Sequence, residues 1–598
     1  MTVLLCFLLP PVFLMYIREK VLGSKTECNF YGDVKSFLRE YLLTLCFLNF
    51  VVLAVTYKLF TPHGALDTSL MENAEFAFRY LLLSLIIAAL EPVVENFLRY
   101  HLKIEINKIE IPGMKIHFNK NLILYVYAFV LFLLNFIRIF DNAFWLDEGY
   151  SIKLAKMTLR SMVGSTAADV HPPLYYLFAQ ILYHVFGNNG IAYHLSALLP
   201  YAVIMIMGCT VIKKYFGSIP ATIMITMASL MKNAVVYNVE ARMYALASMF
   251  VLIAYVAFYK IIEKNDRMSW IVFCISSLSA SYTHYYALIS VAFLFVMLMP
   301  LAIFRKKYRK GLIISYLVAI LTYFPWLIIL LKTFGRTAKD WWLNEIPTIS
   351  ECSIFLLDYN WMVVCFIALL LLFVAYQIKF LVIKTSNEGE LKDRVDISIN
   401  IPKKIDVSGE LYWVISGIIS ICGTAAVGLA LSYLIRPFFL TRYLFPVSAM
   451  LYLIIGVCVS KMKLRRLWST ALIIAILWNN VPAYVQRYEE DYKLNNDTAM
   501  FLDAVRPEDD AEIVINNIST LGYPVLNYYY PENDLKYDLD ASKNLDTNYE
   551  DIWIIWRGEL DETAENNIRE QQYTSTKIYE GNFADGLFYH VYKLHRNN

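Results

Sequence analysis

The chain has 598 residues, 58% of them hydrophobic and 17% charged, with a formal net charge of +2 and a mean hydropathy of +0.48. Soluble domains run near 45–50% apolar and about 25% charged, so a polytopic membrane protein is the class that fits, while disorder, collagen and coiled coil are excluded. The balance of 53 basic against 51 acidic residues leaves no nucleic-acid footprint.

A helix that crosses a bilayer needs roughly 20 apolar residues. In chain order this predicts spans at 2–17, 41–60, 79–98, 121–140, 191–212, 219–234, 239–261, 269–283, 285–304, 311–331, 354–384, 409–434, 438–460 and 465–482, about fourteen in all. The first is read as a short membrane segment and not a cleaved signal, since no basic segment precedes it and no small-residue cleavage site follows. The stretch 174–186 is too short and too polar to span, and reads as a helix lying in the interface. Basic loops at 18–20, 99–120, 213–214, 260–267, 305–310, 384–404 and 461–466 all fall on one side. By the positive-inside rule that side is cytoplasmic. The loops 61–78, 141–190, 235–238, 332–353 and 435–437, both termini, and everything after 482 then face outward. The nine cysteines lie mostly inside apolar runs, with no spacing that suggests zinc or a disulfide framework.

The composition changes near Tyr484. Beyond it, 512–516, 551–556 and 586–594 read as strands and 498–505 and 562–572 as helices. The expected organisation is three extra membrane segments in 1–120, a catalytic membrane domain at 121–482 with an outer loop at 141–190, and a soluble α/β domain at 483–598. No phosphate-binding glycine loop occurs in that domain.

The most informative stretch is Phe144-Trp145-Leu146-Asp147-Glu148-Gly149-Tyr150, followed by Asp169-Val170-His171-Pro172-Pro173-Leu174-Tyr175-Tyr176. Two carboxylates stand where a helix leaves the membrane. Low dielectric raises a carboxylate's pKa and improves it as a general base. Pro172-Pro173 enforces extended geometry on the residues before it, and a reversal there would hold Asp169 and His171 near Asp147. The plainer readings are a helix-end charge pair for Asp147–Glu148 and interfacial histidines for His171 and His284. Arg442 could snorkel to headgroups, and Arg242 could form a structural ion pair.

These motifs resemble the GT-C glycosyltransferases. The nearest branch is glycosyltransferase family 39 with the protein O-mannosyltransferases, the lipid A aminoarabinose transferases and the core galacturonosyltransferase-like proteins. Glu240-Ala241-Arg242-Met243-Tyr244, Thr283-His284-Tyr285-Tyr286, Arg436-Pro437-Phe438 and Arg442-Tyr443-Leu444-Phe445-Pro446 extend the match over about 121–482. Such enzymes start with the span before the acidic motif, whereas here three spans come first. The resemblance implies a GT-C-type helical membrane domain. It also implies transfer of a sugar, with inversion, from a polyprenyl-phosphate donor to a lipid, glycan or protein acceptor on the outer face of the cytoplasmic membrane. Asp147 is the favoured base, with Glu148 beside it. Arg242, Arg442 and Arg436 are candidates for the donor phosphate, because guanidinium pairs bidentately with phosphate oxygens. Asp169, His171, Glu240, His284 and Tyr285 are candidates for substrate contact. No cofactor is assigned. Asp147, Asp169 and His171 offer ligand types for a divalent metal at a spacing that is not diagnostic. Competing classes are a transporter or lipid flippase, which would place polar residues near midplane in two related halves, and a non-catalytic glycan-binding membrane protein.

Overall fold

Apolar runs of spanning length satisfy their own backbone groups as helices where water is absent, and helices dominate this chain. The computed structural model describes residues 25–28, 109–112, 120–141, 143–337, 343–378, 381–386, 394–399, 408–462 and 465–507, then most of 512–597. The predicted spans at 2–17, 41–60 and 79–98 lie outside those residues. Among the described residues, nine helices are long and apolar enough to cross a membrane. The spans expected at 219–234 and 269–283 correspond to the shorter helices Ser218–Leu230 and Arg267–Thr283. The chain is a multi-pass helical membrane protein that carries a small sheet domain in its C-terminal part.

Residues 1–126 and 466–479 form one compact unit, and 127–465 with 480–598 the other. In the first, β1 (Lys25–Cys28) pairs antiparallel with β2 (Ile109–Pro112). In the second, the helices Tyr244–Glu263 and Thr441–Ser460 are the central ones, with 78% and 94% of their spanning windows buried, whereas only 11% of the Asn360–Gln377 window is buried. Gly456 of the second central helix meets backbone: a Cβ there would lie 2.7 Å from Pro220 Cα. Only a glycine lets that helix approach Ser218–Leu230 so closely.

Three local features differ from the sequence reading. The span expected at 354–384 is broken into helices Ile349–Leu357 and Asn360–Gln377. The break is Asp358, at φ 61°. Its buried carboxylate accepts hydrogen bonds from Lys232 N at 2.8 Å and Asn480 Nδ2 at 2.9 Å. Those bonds offset a backbone cost of about 1–3 kcal/mol. The end of that expected span and the basic loop expected at 384–404 form an antiparallel pair, β3 (Leu381–Ser386) and β4 (Arg394–Ile399). The last span and the predicted helix 498–505 merge into one 40-residue helix, Arg465–Ala504.

The C-terminal sheet has the order β6-β5-β7-β9-β8, from β5 (Glu512–Asn516), β6 (Asp534–Tyr537), β7 (Asp551–Trp556), β8 (Tyr573–Asn582) and β9 (Phe588–Arg596). β5 is parallel to β6 and β7; β9 is antiparallel to β7 and β8. Both faces are covered, which is why β7 reads as an unbroken apolar run. Ile552 and Ile554 pack with Ile568 of helix Glu562–Glu570. Trp553 and Ile555 pack with Val525 and Leu526 of helix Gly522–Tyr529, and with Phe144, Ile152 and Ala155. That second core joins the sheet to the loop that carries Asp147.

Candidate active site

The span from Ile123 ends at Phe140, and helix Leu146–Lys156 starts after a short loop with Asp147 and Glu148 in its first turn. Carboxylates are favoured there by the positive end of the helix dipole. The two acids face different partners. Glu148 is buried; its Oε2 accepts from Trp145 N at 3.3 Å and its Oε1 from Ala241 N at 2.7 Å. His194 Nδ1 stands 3.8 Å from Oε1. Burial holds the Glu148 carboxyl above the usual range, against the pull of those two amides. Both oxygens serve the backbone, so the side chain ties the start of the helix to the turn at 238–243.

Asp147 faces two arginines. Its Oδ2 lies 3.1 Å from Arg442 Nη1 and 3.8 Å from Arg242 Nη2. Arg242 enters just ahead of one central helix, and Arg442 lies at the start of the other. Rigid elements therefore fix the backbone of both arginines. Arg242 is anchored: Nη1 donates to Asp147 O at 3.0 Å and Ser151 Oγ at 3.4 Å, and the side chain is 3% exposed. Arg442 is 23% exposed and lies over the Trp145 ring at 5.6 Å. The ion pairs do not use up the hydrogen-bonding capacity. Asp147 Oδ2, Arg242 Nε, Arg442 Nε, Glu240 Oε1 and the hydroxyls of Tyr176 and Tyr244 are all buried without a hydrogen-bond partner. Native structures leave few such groups, and six of these atoms belong to residues at or beside the Asp147 cluster.

The remaining predicted residues surround this centre. Asp169 ends helix Leu159–Ala168, and its Oδ2 is 3.3 Å from His171 Nδ1. Burial raises the Asp169 carboxyl, but the contacts with His171 outweigh it and hold it below the usual range. Burial pushes the His171 imidazole down. The His171 and His284 rings are 6.0 Å apart. His284 caps the next helix: its Nδ1 accepts from Tyr286 N at 3.2 Å, which puts the proton of the neutral ring on Nε2. Burial, with His171 and the two arginines nearby, keeps that ring uncharged. Burial and the neighbouring Glu148 raise the Glu240 carboxyl. Tyr285 accepts from Trp326 Nε1 at 3.3 Å through its hydroxyl. Arg436 is half-buried in the turn after helix Gly409–Leu434, while the ion pairs of Asp147 come from Arg242 and Arg442. No group of three or more His, Cys, Asp or Glu side chains converges as for a metal among the described residues.

Sequence reasoning gave no role to Trp145, Tyr176 and Tyr244, or to the polar side of helix Arg465–Ala504. From that helix Asp491 pairs with Arg138 at 2.7 Å, and Asn495 bonds Asp141 Oδ1 at 2.8 Å and Ala143 N at 3.1 Å. Arg138 near the end of a span and a cluster of polar residues past Tyr484 were the available signals; which one meets which depends on the fold. Beside Pro173 lies an apolar cleft of about 320 Å³, lined by Leu159, Met162, Val163, Leu174, Leu177, Leu278 and Tyr282.

Residues 170–329 match the family model described as dolichyl-phosphate-mannose-protein mannosyltransferase. The fold is similar to that of ArnT from Cupriavidus metallidurans in the apo state, at 10% identity and a TM-score of 0.52, over 79% of this chain and 97% of that one. The structure of the same ArnT bound to undecaprenyl phosphate aligns over the same shares at 10% identity and a TM-score of 0.49. None of the curated proteins compared matches the sequence. The chain thus has an ArnT-like fold, and residues 170–329 resemble the mannosyltransferase family.

Proposed function

We propose that this chain moves a sugar from a polyprenyl-phosphate donor to a hydroxyl acceptor, with inversion, on the outer face of the cytoplasmic membrane. The observation that carries the reading is the Asp147–Arg242–Arg442 cluster, with Arg242 buried, the other two partly so, and unused hydrogen-bonding atoms on all three side chains. The family described for 170–329 is named for a dolichyl-phosphate sugar, which supports a donor of the polyprenyl class. The sidedness of the basic loops supports the outer face. The apolar cleft lined by Pro173, two residues along the chain from His171, offers an apolar surface for the donor's lipid.

Charge conservation supports the assignment of roles. Two guanidiniums, the Asp147 carboxylate and a phosphodiester monoanion sum to zero. In the reaction the acceptor oxygen bonds the anomeric carbon, and the bond from that carbon to the phosphate oxygen breaks with its electron pair. The acceptor proton passes to Asp147. Two guanidiniums, a neutral Asp147 and a phosphate dianion again sum to zero. The donor phosphate competes with Asp147 for the arginines, so donor binding itself releases the carboxylate to act as base. Glu148 holds the helix that presents Asp147.

The test is transfer by purified full-length protein from a panel of polyprenyl-phosphate sugars to hydroxyl acceptors. Release of polyprenyl phosphate that depends on acceptor supports the reading. Transport of intact donor across a bilayer, with no bond cleaved, overturns it.

A further inference from the structure

We propose that the C-terminal sheet domain is part of the catalytic apparatus: helix Gly522–Tyr529 is the back wall that positions Asp147 against its arginines. This rests on the glycosyltransferase reading above. Asp147 and Gly149 are two residues apart on one helix, which is about 200° of rotation, so they lie on opposite faces. The Asp147 face meets Arg242 and Arg442. The Gly149 face meets Val525. A Cβ on Gly149 would stand 2.5 Å from Val525 Cγ2, 2.9 Å from its backbone N and 3.2 Å from its Cα. Backbone therefore packs on backbone at this point, and no side-chain rotation makes room.

The contact is embedded in a wider interface. Ile152 and Ala155 share one core with Val525, Leu526, Trp553 and Ile555. Phe144 meets Tyr528 edge-on at 4.9 Å and stacks on His194 at 4.9 Å. The site helix is thus held between guanidiniums on one face and the sheet domain on the other. Misplacement of a reacting group by about 1 Å can cost on the order of 10²-fold in rate. A wall that meets the helix two residues from Asp147 controls displacement of that size. Gly149 and Val525 act through Asp147, as positioning residues.

The experiment compares full-length wild type, Gly149→Ala, Val525→Ala and the double variant. Three quantities are read: donor affinity, turnover, and amide hydrogen exchange of the 146–156 segment. Gly149→Ala should lower kcat by roughly 10–100-fold with donor affinity within about twofold, and should speed exchange in 146–156. Val525→Ala removes the nearest atom and leaves the backbone in place, so the double variant should recover part of both losses. A structural role alone would lower the melting temperature without this split or rescue. Wild-type kcat and exchange in Gly149→Ala overturn the positioning inference and leave the activity standing. Absence of transfer by wild type removes the activity reading, and the exchange arms then decide the positioning by themselves.

Discussion

Arg442 and Arg242 carry the same charge to the same carboxylate, yet their surroundings give them different duties. Arg242 is 3% exposed and bonded to Asp147 O and Ser151; Arg442 is 23% exposed, with the Trp145 ring under its guanidinium. In the proposed reaction an incoming phosphate would therefore meet Arg442 as its adjustable partner. Arg442→Lys keeps the charge and loses the fork and the planar stacking. A hydrogen bond to a charged group is worth about 1.5–3 kcal/mol, and a cation–π contact about 0.5–2 kcal/mol. Loss of one phosphate hydrogen bond alone converts to about 10–100-fold weaker donor binding, at 1.4 kcal/mol per factor of ten. Arg442→Ala should bind more weakly still. Trp145→Leu removes only the stacking and should cost about 2–30-fold. Equilibrium binding of a short-chain polyprenyl phosphate to purified variants measures this, with the thermal midpoint as a check on folding. Wild-type affinity in both Arg442→Lys and Arg442→Ala would refute the reasoning and leave Arg242 as the phosphate partner.

Glu148→Gln should act mainly on stability: the amide can accept through one oxygen, so either Trp145 N or Ala241 N loses its partner, at about 1–3 kcal/mol. Thermal melts should show that loss, with measurable transfer retained; full stability with no transfer would make Glu148 a chemical participant. Stability should also respond to pH in two directions. Burial raises the Glu148 and Glu240 carboxyls, so their contribution is full below the ordinary glutamate value and fades as pH rises through the raised values. His171 holds Asp169 below its ordinary value, so that contribution is present above the ordinary aspartate value and fades as pH falls through the depressed one. Melts across pH should therefore lose the Glu148 and Glu240 component on the alkaline side in wild type, and not in a Glu148→Gln/Glu240→Gln double variant.

The helical architecture was legible because spans are long and uniform, and the acidic loop and arginines were legible because their motifs resemble those of a known family. What escaped depends on contacts distant in sequence. Asp147 and Glu148 are neighbours of the same type, and only the positions of Arg442 and of the Ala241 amide separate their duties. The break at Asp358 hides inside an apolar run, since a positive φ at aspartate has no sequence signature without its partners Lys232 and Asn480. Helix Gly522–Tyr529 was missed because it is short and rich in tyrosine, and its apolar face meets Phe144, over 370 residues away. The sheet domain looked separable because its composition is polar; its packing on Gly149 and Ile152 depends on shape.

In the proposed mechanism Asp147 is the base that donor binding sets free. Single-turnover transfer by purified wild type and Asp147→Asn, with donor affinity measured on the same samples, tests this directly. General-base catalysis is worth roughly 10²–10⁴-fold, so the variant should be slower by about that factor. Its donor affinity should be unchanged or higher, because the carboxylate that competes for Arg242 and Arg442 is gone. Transfer by Asp147→Asn at the wild-type rate would contradict the account.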